Sequence, residues 1–330
     1  MSTKITALLL FTFLLSTSHS SQAQQRAKIP RIGVLLPSPT GVNTYLVSFR
    51  QGLEDLGYME GKTLLIEYRI AEAKSGQYPG QYAELAADLV SLDLDVIVTS
   101  SGPAVQALKK ATKTIPIVMA AVADPLGTGI VASLARPGNN VTGLSMRSPE
   151  ISGKRLQLLK EVVPSVRRVA VVCNPTNPSH SVSFRDSQTA AKTLGLQVQS
   201  IELQDPGALG RGLTTITKSQ TDAFTVFRDS FFLVNLNRFV EFAVKSRLPA
   251  IYDGTEFVRA GGLMSYAARH LDLWRRAATF VDKILKGSQP ADLPIEQSMA
   301  TEFIINLTAA KRIGLTIPAE VLQRADKVIK

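Results

Sequence analysis

One sequence unit occurs twice in this 330-residue chain, once in each half. The first copy reads Ile115-Pro116-Ile117-Val118-Met119-Ala120, a glycine-containing loop, then Val141-Thr142-Gly143-Leu144-Ser145-Met146, followed by a basic amphipathic stretch from Lys154 to Val163. The second reads Leu248-Pro249-Ala250-Ile251-Tyr252-Asp253, a loop, Gly261-Gly262-Leu263-Met264-Ser265-Tyr266 and another basic stretch from Leu273 to Lys286. Repetition over this length predicts two similar lobes rather than one large sheet. Two α/β lobes enclose a cleft, and a cleft suits capture of a small ligand.

The pattern between the copies agrees. Continuous apolar runs predict strands at 32–36, 64–69, 95–99 and 115–120, with helical periodicity at 43–56, 78–92 and 104–111 between and after them. The order restarts with strands at 168–172, 197–203, 223–227 and 249–252 and helices at 181–194, 207–218 and 236–246. Such alternation predicts a parallel sheet covered by helices on both faces in each lobe. The segments 141–146 and 262–266 read as strands that cross between the lobes, with a third crossing near 294–301. Each lobe is then discontinuous: 24–145 with 255–295, and 146–254 with 296–330.

The N-terminus sets the compartment. Lys4, the apolar run from Ile5 to Leu15 and the small-residue site Ser21-Gln22-Ala23 read as a signal peptide over residues 1–23. The apolar run is too short to span a bilayer. No cysteine lies near the cleavage site, so a soluble periplasmic protein is expected rather than a lipoprotein. The single cysteine, Cys173, sits in an apolar run and is expected to be a packed strand residue. The net charge of +10 is spread along the chain without a Lys/Arg run or interleaved aromatics, which argues against nucleic-acid binding.

In open parallel sheets ligands lie beyond the carboxyl ends of the strands. That rule selects Ser38, Thr40, Ser100, Ser101 and Asp124 from the first lobe, and Asn174, Asn177, Arg228, Asp229, Tyr252 and Asp253 from the second, with Ser145 and Tyr266 near the hinges. Ser100-Ser101-Gly102-Pro103 offers hydroxyls and free N–H groups at a helix start, suited to carboxylate or phosphate oxygens and equally to a helix cap. Asp124 before Pro125 suits a ligand ammonium or a turn. Arg228 and Asp229 suit the two ends of a zwitterion or a structural ion pair. Tyr252 and Tyr266 suit an apolar or aromatic ligand part. Catalytic signatures are missing: the three histidines are at 19, 180 and 270, and no HExxH, CxxC or strand-borne G-x-S-x-G is present. Binding is expected rather than chemistry, with no catalytic residue, metal or cofactor.

Several motifs resemble the substrate-binding proteins of ABC transporters, in the tryptophan/aromatic-amino-acid-binding-like group. They include Phe49-Arg50-Gln51-Gly52-Leu53, Ala123-Asp124-Pro125-Leu126-Gly127-Thr128-Gly129, Asn140-Val141-Thr142-Gly143-Leu144, Ser152-Gly153-Lys154-Arg155-Leu156 and Gly261-Gly262-Leu263-Met264-Ser265-Tyr266. The resemblance covers essentially the whole chain after the signal. It implies a type I periplasmic-binding-protein fold, two Rossmann-like lobes joined by three hinge crossings. It also implies a monomer that closes on a small carboxylate-bearing, amino-acid-like or aromatic ligand and delivers it to a membrane permease driven by a separate ATPase. A periplasmic subunit that presents ligand to a receptor kinase is the alternative, and a two-lobed α/β enzyme a more distant one. The chain departs from the family pattern at Phe227-Arg228-Asp229-Ser230, and an arginine there favours an anionic or carboxylated ligand over a plain aromatic amino acid.

Overall fold

The apolar runs become two open sheets, one for each half of the repeat. The computed structural model describes residues 29–330 apart from 37, 38, 40, 41, 73–77, 147 and 299, and the expected signal peptide lies outside the described residues. The first lobe alternates β1 (Arg31–Leu36), α1 (Val42–Glu54), β2 (Leu65–Ile70), α2 (Tyr78–Val90), β3 (Val96–Thr99), α3 (Gly102–Ala111), β4 (Ile117–Ala123) and β5 (Val141–Met146). After α4 (Ser148–Val162) the series repeats as β6 (Arg168–Cys173), α5 (Pro178–Leu194), β7 (Gln197–Glu202), α6 (Pro206–Lys218) and β8 (Ala223–Val226). It continues through α7 (Ser230–Val234), α8 (Leu236–Ser246), β9 (Ala250–Tyr252), α9 (Thr255–Arg259) and β10 (Met264–Ala268). The chain returns to the first lobe for α10 (His270–Leu285) and β11 (Glu296–Ser298). It ends in the second with β12 (Thr301–Asn306), α11 (Leu307–Arg312), α12 (Ala319–Gln323) and β13 (Lys327–Ile329).

The first sheet runs β11-β5-β4-β3-β1-β2 and the second β13-β12-β10-β9-β8-β6-β7. Strand for strand, β2-β1-β3-β4-β5 and β7-β6-β8-β9-β10 are the same arrangement. Every pair is parallel except β10 with β12. Both faces of the first sheet are covered, which is why its strands read as unbroken apolar runs. Val34, Val98 and Val118 pack toward Phe49 and Trp274, whereas Leu35, Ile97 and Ile117 pack with Leu89 and Leu108 on the other face. Cys173 is buried at the end of β6, as expected.

The glycine of the repeated motif has a local cause. The β4–β5 register shifts between Met119 and Val122. Opposite that bulge Gly143 has φ +125°, and a Cβ there would sit 2.2 Å from the Met119 carbonyl oxygen. Only glycine tolerates both the dihedral and the approach.

One expected border moves. Residues 255–268 do not join the first lobe: α9 packs on β9, β10 and β12, and β10 is hydrogen-bonded between β9 and β12. The chain crosses at Arg269 instead, between β10 and α10, where the Arg269 N–H donates to the Ala300 carbonyl. The remaining crossings fall between β5 and α4 and between β11 and β12, so 296–298 belongs to the first sheet.

Candidate ligand-binding cleft

The carboxyl ends of both sheets face one cavity of about 110 Å³, room for several waters or a small solute. Its polar floor comes from equivalent loops of the repeat, after β3 and after β8. In the first lobe Ser100 and Ser101 line it, and Ser101 caps α3 with extended backbone, no side-chain cap bond and Pro103 in the first turn. The α3 N-terminus therefore presents backbone N–H groups and the positive end of the helix dipole to the cleft.

In the second lobe Asp229 caps α7 and is buried. Its carboxylate accepts from Asn174 Nδ2 at 3.2 Å, Asn177 Nδ2 at 3.1 Å and the Phe231 N–H at 3.0 Å. All three donors are neutral. The other acid lining the cavity, Asp253, is paired at 2.8 Å with the buried Arg155 from the Ser152–Leu156 motif. Asp229 has no lysine or arginine within ion-pair distance among the described residues. His180 fixes this floor from beneath: its Nδ1 accepts from the Asn174 N–H at 2.8 Å, so Nε2 carries the proton toward the Arg228 carbonyl at 3.0 Å. Burial pushes its pKa down, which keeps the ring neutral.

Arg228 plays a different part from the one its position suggested. Its guanidinium grips Glu256 with both ends, Nη1 to Oε2 at 2.8 Å and Nη2 to Oε1 at 2.9 Å. Nη2 also donates at 2.6 Å to the Tyr45 hydroxyl, which donates in turn to Glu256. Tyr45 comes from α1 in the first lobe and Glu256 from α9 in the second, so this triad ties the lobes together. A second tie joins the Tyr82 hydroxyl of α2 to Ser230 Oγ at 3.2 Å. Burial raises both phenol pKa values, so each remains a neutral hydroxyl. With its charge matched by Glu256, Arg228 does not favour an anionic ligand.

Seven of the expected residues line the cavity: Ser100, Ser101, Asn174, Asn177, Arg228, Asp229 and Asp253. Ser38 and Thr40 lie outside the described residues. The other four do not line it. Asp124 closes its own turn, accepting from the Gly127 N–H at 2.8 Å with φ +39°. Ser145 is buried with its hydroxyl toward the Met146 carbonyl, and it is Met146 that lines the cavity. Tyr266 accepts from Thr301 between the hinge strands and packs on Phe303. Tyr252 is fully buried and stacked on Phe257 at 4.7 Å, with its hydroxyl unpartnered. Tyr252→Phe removes that orphan polar atom. The variant is expected to be at least as stable as wild type in thermal melts and to bind ligand within about twofold of it.

Residues that strand-end reasoning missed come from helices: Tyr45, Tyr82 and His270, with Glu256 behind Arg228. Asn177 caps α5 and joins the floor, so its turn role and its cleft role coincide.

Two lobes of like topology closing over a shared polar floor define a solute-binding protein of the two-lobed type. The family model described as ABC transporter substrate binding protein matches residues 37–329. The chain belongs to that family and has the type I periplasmic-binding-protein fold. It is 27% identical over 268 residues to a tyrosine-binding protein of Clostridioides difficile, covering 81% of this chain and 75% of that one. It is similar to an ABC domain from Streptococcus pneumoniae solved in complex with L-Trp, with 28% identity, TM-score 0.85 and coverage of 91% and 99% of the two chains. A conserved domain protein from Vibrio cholerae is likewise similar, with 29% identity, TM-score 0.85 and coverage of 91% and 100%.

Proposed function

We propose that this protein captures an α-amino acid with an aromatic side chain and hands it to a membrane permease served by a separate ATPase. In this reading it works as an exported monomer on the outer side of the cytoplasmic membrane. The carrying observation is the pairing of unlike ends across the cleft: an α3 N-terminus without a side-chain cap from one lobe, and the carboxylate Asp229 without a cationic partner from the other. A carboxylate suits the first and an ammonium the second. The walls between them are largely apolar, with Leu36, Met146, Ile151, Phe227 and Leu233. The ligands named for the two relatives, tyrosine and L-Trp, have this head group and an aromatic body.

Ligand that bridges the lobes shifts the population toward closure. Thermal melts with a panel of L-amino acids test the reading, because a ligand that binds only the folded form raises the midpoint by mass action. An aromatic L-amino acid is expected to give the largest rise, and its deaminated and decarboxylated analogues much smaller ones. Equal rises with the analogues, or none with any amino acid, would sink the proposal.

A further inference from the structure

The Tyr45 side of the cleft carries a polar atom that an amino-acid head group does not use. His270 opens α10 directly after the Arg269 crossing, and its ring lines the cavity beside Tyr45, with 6.5 Å between centroids. Its Nδ1 lies 2.8 Å from the Ala268 carbonyl oxygen, which can only accept. Nδ1 therefore carries the proton and Nε2 presents a lone pair. That nitrogen is buried and has no hydrogen-bond partner among the described residues. Burial, and then the neighbouring Arg228 guanidinium, push the imidazole pKa down to about 4 against the opposing pull of Glu256. The ring is thus a neutral acceptor near pH 7.

A buried acceptor left unmade is costly, and a donor that arrives with the ligand restores its bond. The hydroxyls of Thr99, Thr225, Tyr252 and Ser265 are also buried without partners, but none of these residues lines the cavity. His270 does. It also sits in a different neighbourhood from the head-group floor. Asp229 clusters with Asn174, Asn177 and the Ser230–Tyr82 tie, whereas His270 clusters with Ala268, Tyr45 and, through the stacked Tyr45, Trp274.

We infer that His270 is the specificity-determining residue of the cleft, its Nε2 accepting a hydrogen bond from an N–H or O–H on the ligand's side chain. A phenol or an indole is then preferred over a bare phenyl ring, because an analogue without the donor leaves the imidazole unpaired. The inference rests on the amino-acid reading above.

Calorimetric titration of the whole exported chain separates the two. L-tyrosine is compared with L-phenylalanine, and L-tryptophan with 1-methyl-L-tryptophan, in wild type and in His270→Leu. The wild type is expected to prefer the donor-bearing member of at least one pair by about tenfold, the worth of one net hydrogen bond. In His270→Leu the ratio falls to within about twofold of unity. A wild-type ratio near one, or a ratio that His270→Leu leaves unchanged, overturns the role of His270 while the amino-acid reading stands. Failure of the wild type to bind any of the four overturns both. Where His270→Leu does not fold, nitrogen-15 spectra of the wild-type imidazole decide: Nε2 moves upfield when L-tyrosine or L-tryptophan is added, and no movement with a bound ligand overturns the inference.

Discussion

Asp229→Asn lowers affinity for an aromatic L-amino acid by about 100-fold or more, the largest effect expected of any single change in the cleft. Truncating one charge of a buried, hydrogen-bonded pair costs about 2–5 kcal/mol, and tenfold in affinity corresponds to about 1.4 kcal/mol. In the proposed reading the pair forms only when ligand arrives. In the structure Asp229 is a buried carboxylate held by three neutral donors, while the two guanidinium groups nearest the cleft, Arg155 and Arg228, are matched by Asp253 and Glu256. On that reading a ligand ammonium supplies the counter-charge. The substitution also turns one accepting oxygen into an NH2 that faces an asparagine donor, so some loss of stability is expected with it. Comparing an amino acid with its deaminated analogue by calorimetry separates the two effects. Wild type discriminates strongly between them, and Asp229→Asn discriminates little. An Asn variant that is still folded and keeps the wild-type ratio would show that Asp229 does not meet the ammonium.

Much of this architecture was legible in the sequence. Apolar strands buried on both faces cannot hide, and the repeated motif aligned β4–β5 with β9–β10 before any coordinates. The border near residue 255 was misjudged because β10 is as apolar as a strand of either sheet, and nothing local says which neighbour it pairs with. The site was legible only in part, for a related reason. Strand-end reasoning finds loops, so it found Ser101 and Asp229. It cannot tell which of two adjacent residues points inward, and at β5 it chose Ser145 where Met146 faces the cleft. It also put Tyr252 in the cavity when the β9 side chain turns into the core against Phe257. Tyr45, Tyr82 and Glu256 lie on helices, where each reads as an ordinary member of an amphipathic face. Their meeting across the lobes is long-range, with Tyr45 and Glu256 211 residues apart, and no local signal encodes it. His270 left a faint trace. It is one of only two histidines after residue 23, and it follows Tyr266 of the repeated motif by four residues.

Glu256→Gln is expected to destabilise the protein by about 3–5 kcal/mol, the usual cost of leaving a buried charge without its partner. For a chain of this size, with an unfolding entropy of about 2.1 cal/mol/K per residue, that lowers the thermal midpoint by about 4–8 °C. Arg228 keeps only Tyr45 and a neutral amide, and its own side chain is 16% exposed, too little for water to replace the carboxylate. The effect depends on pH with a definite sign. Arg228 holds the Glu256 carboxyl well below the usual carboxylate range despite the opposing effect of burial. Its contribution is therefore full above an unfolded carboxyl pKa of about 4.3 and is lost as pH falls toward the depressed folded value. The gap in midpoint between wild type and Glu256→Gln should be wide at pH 7 and narrow steadily below about pH 4. Replacing both partners by apolar residues, Arg228→Met with Glu256→Leu, should recover most of the lost stability, since it removes the orphan charge along with the pair. The double variant still loses the tie to Tyr45, and with it one contact present only when the lobes meet. Its ligand affinity should fall even where its midpoint is restored, because closure then draws only on ligand contacts and the Tyr82–Ser230 tie. Equal midpoints for wild type and Glu256→Gln at pH 7 would mean that water reaches Arg228 and that the triad does not hold the lobes together.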